Sequence, residues 1–179
     1  MNVVLIGPRG SGKSTVGEIL ARRMGRSFVD TDEAIRIRAG KTIQAIFEDE
    51  GEAGFRKREA EAVARAAQET EAVVAVGGGA VEDPDNVRRL ERTGVLVFLT
   101  ARPVVLYKRV VSDSRSGASR PALTGLDPFQ EMETVVRKRA DAYASAARAT
   151  VDTEGKTEAE VAAEVEKTFR RLAAEGQDG

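Results

Sequence analysis

The chain has 179 residues, 41% of them hydrophobic and 32% charged, with a formal net charge of -1 at pH 7. That length suits one domain with a sizeable core, and the near-zero charge gives no support to a nucleic-acid partner. Cysteine and histidine are both absent. Their absence excludes disulfides and thiolate- or histidine-ligated metals, and leaves proton transfer at neutral pH to a carboxylate, a lysine or water.

Val3-Val4-Leu5-Ile6 is a continuous apolar run, the pattern of a strand buried on both faces of a parallel sheet. Because that strand is entered at once, no signal or transit peptide is expected. No apolar run is long enough to span a membrane either, so a cytoplasmic protein is the expectation. Gly7-Pro8-Arg9-Gly10-Ser11-Gly12-Lys13-Ser14-Thr15 follows and fits the phosphate-binding pattern G-x-x-x-x-G-K-[ST]. Beyond it Val16, Ile19, Leu20 and Met24 recur at helical spacing, with Gly25 at the position of a helix end. Strand, glycine-rich turn and helix together make an anion cradle. Glycines let successive N–H groups turn inward, and the helix start adds unsatisfied donors and the positive end of its dipole. Gly10, Ser11, Gly12, Lys13, Ser14 and Thr15 are therefore candidate ATP-binding residues, with Lys13 reaching the β- and γ-phosphates and Ser14 a Mg²⁺ ion.

Ser27-Phe28-Val29 reads as a short strand ending at Asp30-Thr31-Asp32. Ligands of open α/β sheets bind at such carboxyl ends, where two acids could hold the waters of Mg²⁺ and a substrate hydroxyl. The alternative is that Thr31 or Asp32 caps a helix starting at Glu33. Residues 33–49 look helical with a break at Gly40-Lys41-Thr42, and a further helix runs to about Gln68 with Phe55, Ala62, Val63 and Ala66 on its apolar face. Arg56 and Glu59 fall on or beside that face. A guanidinium there needs an anion, and Glu59 is either its orienting neighbour or its whole partner.

Val73-Val74-Ala75-Val76 predicts a second buried strand, ending in Gly77-Gly78-Gly79-Ala80. Three glycines in that place allow a small molecule close to the backbone, although a plain loop is the other reading. Asp83-Pro84 opens a helix, Val95–Leu99 predicts a third buried strand, and a helix covers about 101–111. The stretch 112–126 has no periodicity. From Lys108 to Arg120 it sets Lys108, Arg109, Arg115 and Arg120 against Asp113 alone, which suits either a mobile lid over polyphosphate or a solvated loop. Asp127-Pro128 opens another helix, with Phe129, Met132, Val136, Ala140 and Tyr143 on one face and Arg139 among them. A last strand at 149–152 precedes a capping box, Thr157 with Glu160, and a helix bearing Val161, Val165, Phe169 and Leu172.

Several of these motifs occur together and in order. They are the P-loop, Asp30-Thr31-Asp32, Phe47 through Gly51-Glu52 to Phe55-Arg56 and Glu59, Gly77–Ala80, Arg120-Pro121, and Lys138-Arg139-Ala140 before Tyr143. On them the chain resembles the shikimate kinases over most of its length. The resemblance implies a three-layer α/β/α P-loop kinase fold with a five-stranded parallel sheet in the order 2-3-1-4-5. It implies one kinase domain over 1–179, with substrate-binding helices at about 31–60 and a mobile lid at about 112–126. The implied reaction moves the γ-phosphoryl of ATP, with Mg²⁺, to the 3-hydroxyl of shikimate, a step of chorismate and aromatic amino acid biosynthesis. A monomer with no nucleic-acid or membrane partner is implied too.

Residue by residue, the resemblance gives Asp30 the water shell of the metal and Asp32 the shikimate hydroxyls, with Asp32 as candidate base. Arg56 and Arg139 would clamp the shikimate carboxylate, Glu59 would position Arg56, and Gly78 and Gly79 would meet the substrate. Arg120 would be the lid arginine and Arg109 would lie against adenine; Lys13, Asp32 and Arg120 form the implied catalytic set. The loop Thr153-Glu154-Gly155-Lys156-Thr157 lacks the proline common in the family's adenine loop, and Arg115 has no role by motif. The nearest alternative is another small-molecule kinase of this fold, such as a gluconate kinase, against which the D-T-D and F-R-x-x-E spacing speaks. A GTPase switch is disfavoured by the absence of N-K-x-D.

Overall fold

In the computed structural model, which describes residues 1–112 and 127–175, strands and helices alternate. They run β1 (Asn2–Ile6), α1 (Lys13–Met24), β2 (Ser27–Asp30), α2 (Thr31–Ala39), α3 (Ile43–Ala66) and β3 (Ala72–Ala75). A 3₁₀ turn (Ala80–Glu82) leads to α4 (Pro84–Glu91), β4 (Gly94–Thr100), α5 (Pro103–Ser112), α6 (Pro128–Ala146), β5 (Ala149–Asp152) and α7 (Glu158–Glu175). The five strands are parallel in the order β2-β3-β1-β4-β5, as the resemblance implies.

Alternation along the central strand makes the layers. Val3 and Leu5 face one side, with Val16 and Leu20 of α1 and Val161, Val165 and Phe169 of α7. Val4 and Ile6 face the other, with Val63 of α3, Leu90 of α4 and Tyr143 of α6. Full burial of each such aliphatic side chain contributes roughly 1.5–3 kcal/mol, so the frame beneath the loops is firmly held. Ile35, Ile43, Ile46 and Phe55 form a smaller cluster where α2 meets α3.

Register sets where the loops emerge. Asp30 and Leu5 both align with Ala75 of β3, so the segments following β1, β2 and β3 leave the sheet along one edge. The P-loop, the acids near residue 30 and the glycine run are thereby made neighbours.

Two helices differ in detail from expectation. The break at Gly40 is present, with Thr42 accepting from the N–H of Ala45 as the cap of α3. Within α3 the backbone also turns at Gly51, whose φ of 68° and ψ of -176° lie in a region that favours glycine. On α6 only Tyr143 and Ala146 are buried, and Ala140 is exposed. The helix meets the sheet only near its C-terminal end, and towards its start it leans on α5 through an edge-on contact of Phe129 with Tyr107. The expected lid, with Arg115 and Arg120, lies outside the described residues.

Candidate functional site

The P-loop is shaped by its glycines and braced by its own side chains. Gly10 has φ +81°, and a Cβ there would lie 2.6 Å from the carbonyl oxygen of Leu106, so only glycine fits. Gly12, with φ 90°, precedes α1 without a side-chain cap, and the first turn carries no acid. The start of α1 thus turns N–H groups and the positive end of its dipole towards an anion. Buried Ser11 donates its hydroxyl to Pro8 O at 2.8 Å, and Lys13 Nζ donates to Gly7 O and Pro8 O at 2.8 and 2.9 Å. Lys13 is therefore held over the loop it serves, with Thr15 next in the first turn of α1.

The D-T-D residues divide their labour in a way the sequence left open. The cap of α2 is Asp30, not Thr31 or Asp32. Its Oδ1 accepts from the N–H groups of Asp32 and Glu33 at 3.0 and 3.2 Å, because its extended backbone at the end of β2 turns the side chain along the helix start. The other oxygen of Asp30 accepts from Ser14 Oγ at 2.5 Å. Fully buried Thr31 accepts the N–H of Gly77 at 3.0 Å and ties α2 to the glycine run. Asp32 stands beside that run: a Cβ on Gly77 would lie 2.7 Å from Asp32 Oδ1 and 2.8 Å from Glu59 Oε1. A side chain at Gly77 would have to displace these two carboxylates, while its own dihedrals make no demand for glycine.

Gly78 and Gly79 continue the floor. A Cβ on Gly78 would lie 3.4 Å from Gly7 O and 3.8 Å from Arg9 N, so the run abuts the P-loop. Tyr143, buried and stacked on Phe98, donates its hydroxyl to Gly78 O at 2.5 Å. The guanidinium of Arg56 occupies the space beside Gly79, with Nη2 2.8 Å from the Cβ position.

Arg56 and Arg139 come together, although they belong to different helices. Arg56 Nη1 donates to Oε2 of Glu59, a buried side chain, at 2.6 Å. Arg56 Nη2 is 3.4 Å from both Glu52 Oε1 and Glu82 Oε2. Arg139 places Nε at 2.8 Å and Nη2 at 2.7 Å from that same Glu82 oxygen, and Lys138 Nζ is 3.5 Å from Glu82 Oε1. Burial pushes the Glu82 carboxyl up, but Arg139, Arg56 and Lys138 outweigh it and hold the group below the ordinary carboxylate value. Burial likewise disfavours charge on Arg56, yet Glu59, Glu82 and Glu52 raise it above the usual arginine value. The pair is charged and bounded by acids, and the ion pair of Arg56 with Glu59 is only part of its environment.

Arg109 is turned towards the P-loop and the segment after β5. Its Nη1 donates to Thr153 Oγ1 at 2.8 Å and lies 3.4 Å from Gly10 O, and its Nη2 donates to Thr153 O at 2.8 Å. The loop at 153–157 thus lies beside the phosphate cradle, anchored by buried Thr153. Arg120 lies outside the described residues.

The sequence alone did not single out Glu82, and it marked Thr153 only as part of the loop at 153–157. For Glu82 the signal was partial: two arginines aligned with apolar helix faces call for acids, but Glu82, Asp83 and Asp85 all follow Gly79 and the sequence does not choose among them. Thr153 gave no such signal, since a threonine after a short strand is an ordinary turn residue.

As for a metal, Ser14 Oγ and Asp30 Oδ2 are hard oxygen donors in contact, a set that suits Mg²⁺ retaining several waters. No cluster of three or more acidic side chains that could hold a metal occurs among the described residues, and none of their helices is long and apolar enough to cross a membrane.

Comparison with known proteins gives a consistent result. The family model for shikimate kinase matches residues 9–170. A shikimate kinase of Symbiobacterium thermophilum is 43% identical over 179 residues, covering 100% of both chains. The solved structure of a shikimate kinase from Acinetobacter baumannii in complex with shikimate superposes with a TM-score of 0.88 at 33% identity, covering 96% of this chain and 93% of the other. A gluconokinase from Sinorhizobium meliloti, at a TM-score of 0.59 and 20% identity over 97% of this chain and 94% of its own, shares the fold alone.

Proposed function

The chain belongs to the shikimate kinase family, and from that premise we propose that the sheet's carboxyl edge transfers the γ-phosphoryl group of ATP to the 3-hydroxyl of shikimate. The observation that carries this assignment is the meeting of Arg56 and Arg139 beside Gly79, one glycine from the P-loop. Two guanidinium groups so close suit a small carboxylate, which they take through paired charge-assisted hydrogen bonds.

The α1 N-terminus, Gly10, Ser11, Gly12 and Thr15 take the triphosphate through backbone N–H groups, and Lys13 leaves the loop carbonyls for its outer oxygens. Ser14 and Asp30 would hold Mg²⁺, Asp30 through water, and the ion when bound draws charge off the phosphates. Arg56 and Arg139 fix the shikimate carboxylate, with Glu59 holding Arg56, while Gly78 and Gly79 let the ring lie against the backbone. Asp32 accepts the 3-hydroxyl hydrogen bond. As the hydroxyl oxygen bonds to the γ-phosphorus, the bond to the β-phosphate oxygen breaks and the proton passes to Asp32. Arg109 borders the nucleotide from α5, and by the family pattern Arg120 is the lid arginine. By the family pattern the chain acts as a monomer.

A coupled assay of ADP release across acceptors tests the assignment. Turnover should require shikimate and fail with gluconate and nucleoside monophosphates. Release of ADP with gluconate but not with shikimate would overturn it.

A further inference from the structure

Resting on the shikimate reading, we propose that Glu82 is an internal competitor for the acceptor's carboxylate and sets this chain's affinity for it. Its Oε2 takes the Nε and Nη2 edge of Arg139 at 2.8 and 2.7 Å and lies 3.4 Å from Arg56 Nη2. A glutamate side chain and a shikimate carboxylate are the same chemical group, and one edge of a guanidinium accommodates one carboxylate in bidentate fashion. Glu82 holds the seat the acceptor needs.

Charge balance points the same way. Among the described residues Glu52, Glu59 and Glu82 face Arg56, Lys138 and Arg139, each pairing within 3.5 Å, and Asp32 stands beside Glu59. A further carboxylate entering this partly buried group adds negative charge to it unless one acid withdraws. The Glu59 side chain is 2% exposed and pinned under Arg56. Among the described residues Glu52 pairs with Arg56 and not with the Arg139 edge. Glu82, 28% exposed at the end of a one-turn 3₁₀ segment, can swing into solvent without disturbing the core. Acceptor binding in this chain is therefore an exchange of one carboxylate for another, and its net gain is smaller than that of filling a bare arginine pair.

The test is calorimetric titration of wild type and Glu82→Gln with shikimate and with shikimate methyl ester, together with steady-state kinetics. Glu82→Gln keeps the shape and removes the charge. It should bind shikimate about tenfold more tightly, with the change appearing in KM for shikimate and not in kcat. The ester, which brings no charge to the pair, should gain much less. Glu82→Ala gives the same reading if the glutamine variant folds poorly. Equal or weaker shikimate binding by both variants, in an enzyme whose wild type turns shikimate over, would overturn the competitor and make Glu82 a support for the arginines. Failure of the wild type to bind shikimate at all would instead remove the acceptor assignment and this proposal with it.

Discussion

Arg56 of α3 and Arg139 of α6 direct their Nη2 atoms to one oxygen, Glu82 Oε2, at 3.4 and 2.7 Å. The two helices share this focus because Val63 and Tyr143, further along each, pack into the same face of the sheet.

If that focus is the acceptor's seat, Arg139→Ala should raise KM for shikimate roughly a hundredfold, the loss of two charge-assisted hydrogen bonds. KM for ATP should change far less. Arg139→Lys should recover only part, since an ammonium cannot present a planar fork. Steady-state kinetics with each substrate varied checks this, and an unchanged KM for shikimate in the alanine variant rejects the clamp.

Asp30 joins two roles that substitution can separate. Asparagine caps a helix about as well as aspartate, so Asp30→Asn should leave thermal stability nearly intact. It removes the negative charge beside Ser14, so half-saturation by Mg²⁺ should shift to clearly higher concentration. Asp30→Ala should show that shift and also lose about 1 kcal/mol of stability. Denaturation and Mg²⁺ titration of both variants would expose an error if asparagine proved as destabilising as alanine.

Asp32→Asn should lower kcat by about a hundredfold, near the lower end for a general base, because a loose transition state asks little of one. The ATP half of the site is untouched, so nucleotide affinity should persist. Near-normal turnover would discard both the base and the orienting role.

Thr31→Val keeps the volume of a fully buried side chain but removes the acceptor for the N–H of Gly77. An unsatisfied buried donor costs about 1–3 kcal/mol, and chemical denaturation should register a loss of that size. A variant as stable as wild type would mean that Gly77 finds another acceptor.

The Glu82 carboxyl is held below its ordinary value in the folded chain, where the arginine contributions outweigh burial. A depressed carboxyl stabilises the fold fully above its unfolded value and ceases to do so as pH falls through the folded one. Stability of the wild type should therefore decline as pH drops below about 4.5, and Glu82→Gln should lose less over the same interval. Parallel melting curves from pH 7 to pH 3 decide the point; identical acid sensitivity of the two proteins counts against it.

Much of this protein was legible in one dimension. The apolar runs at 3–6, 73–76 and 95–99 could only be strands covered on both faces, and Gly7–Thr15 fixed the phosphate cradle because its chemistry is local backbone geometry. The arginines on helical faces at 56 and 139 announced an anion. Sequence could not say which acid would answer them, nor that Asp30 would cap α2 while accepting from Ser14, since a side chain's partner depends on where distant backbones cross. The parallel register of β2, β3 and β1 decided that, by bringing Asp30, Thr31 and Gly77–Gly79 to one edge. The convergence of α3, α6 and the 3₁₀ turn then set Glu82 between the two guanidinium groups, a charge arrangement that exists only once the sheet's face has gathered all three.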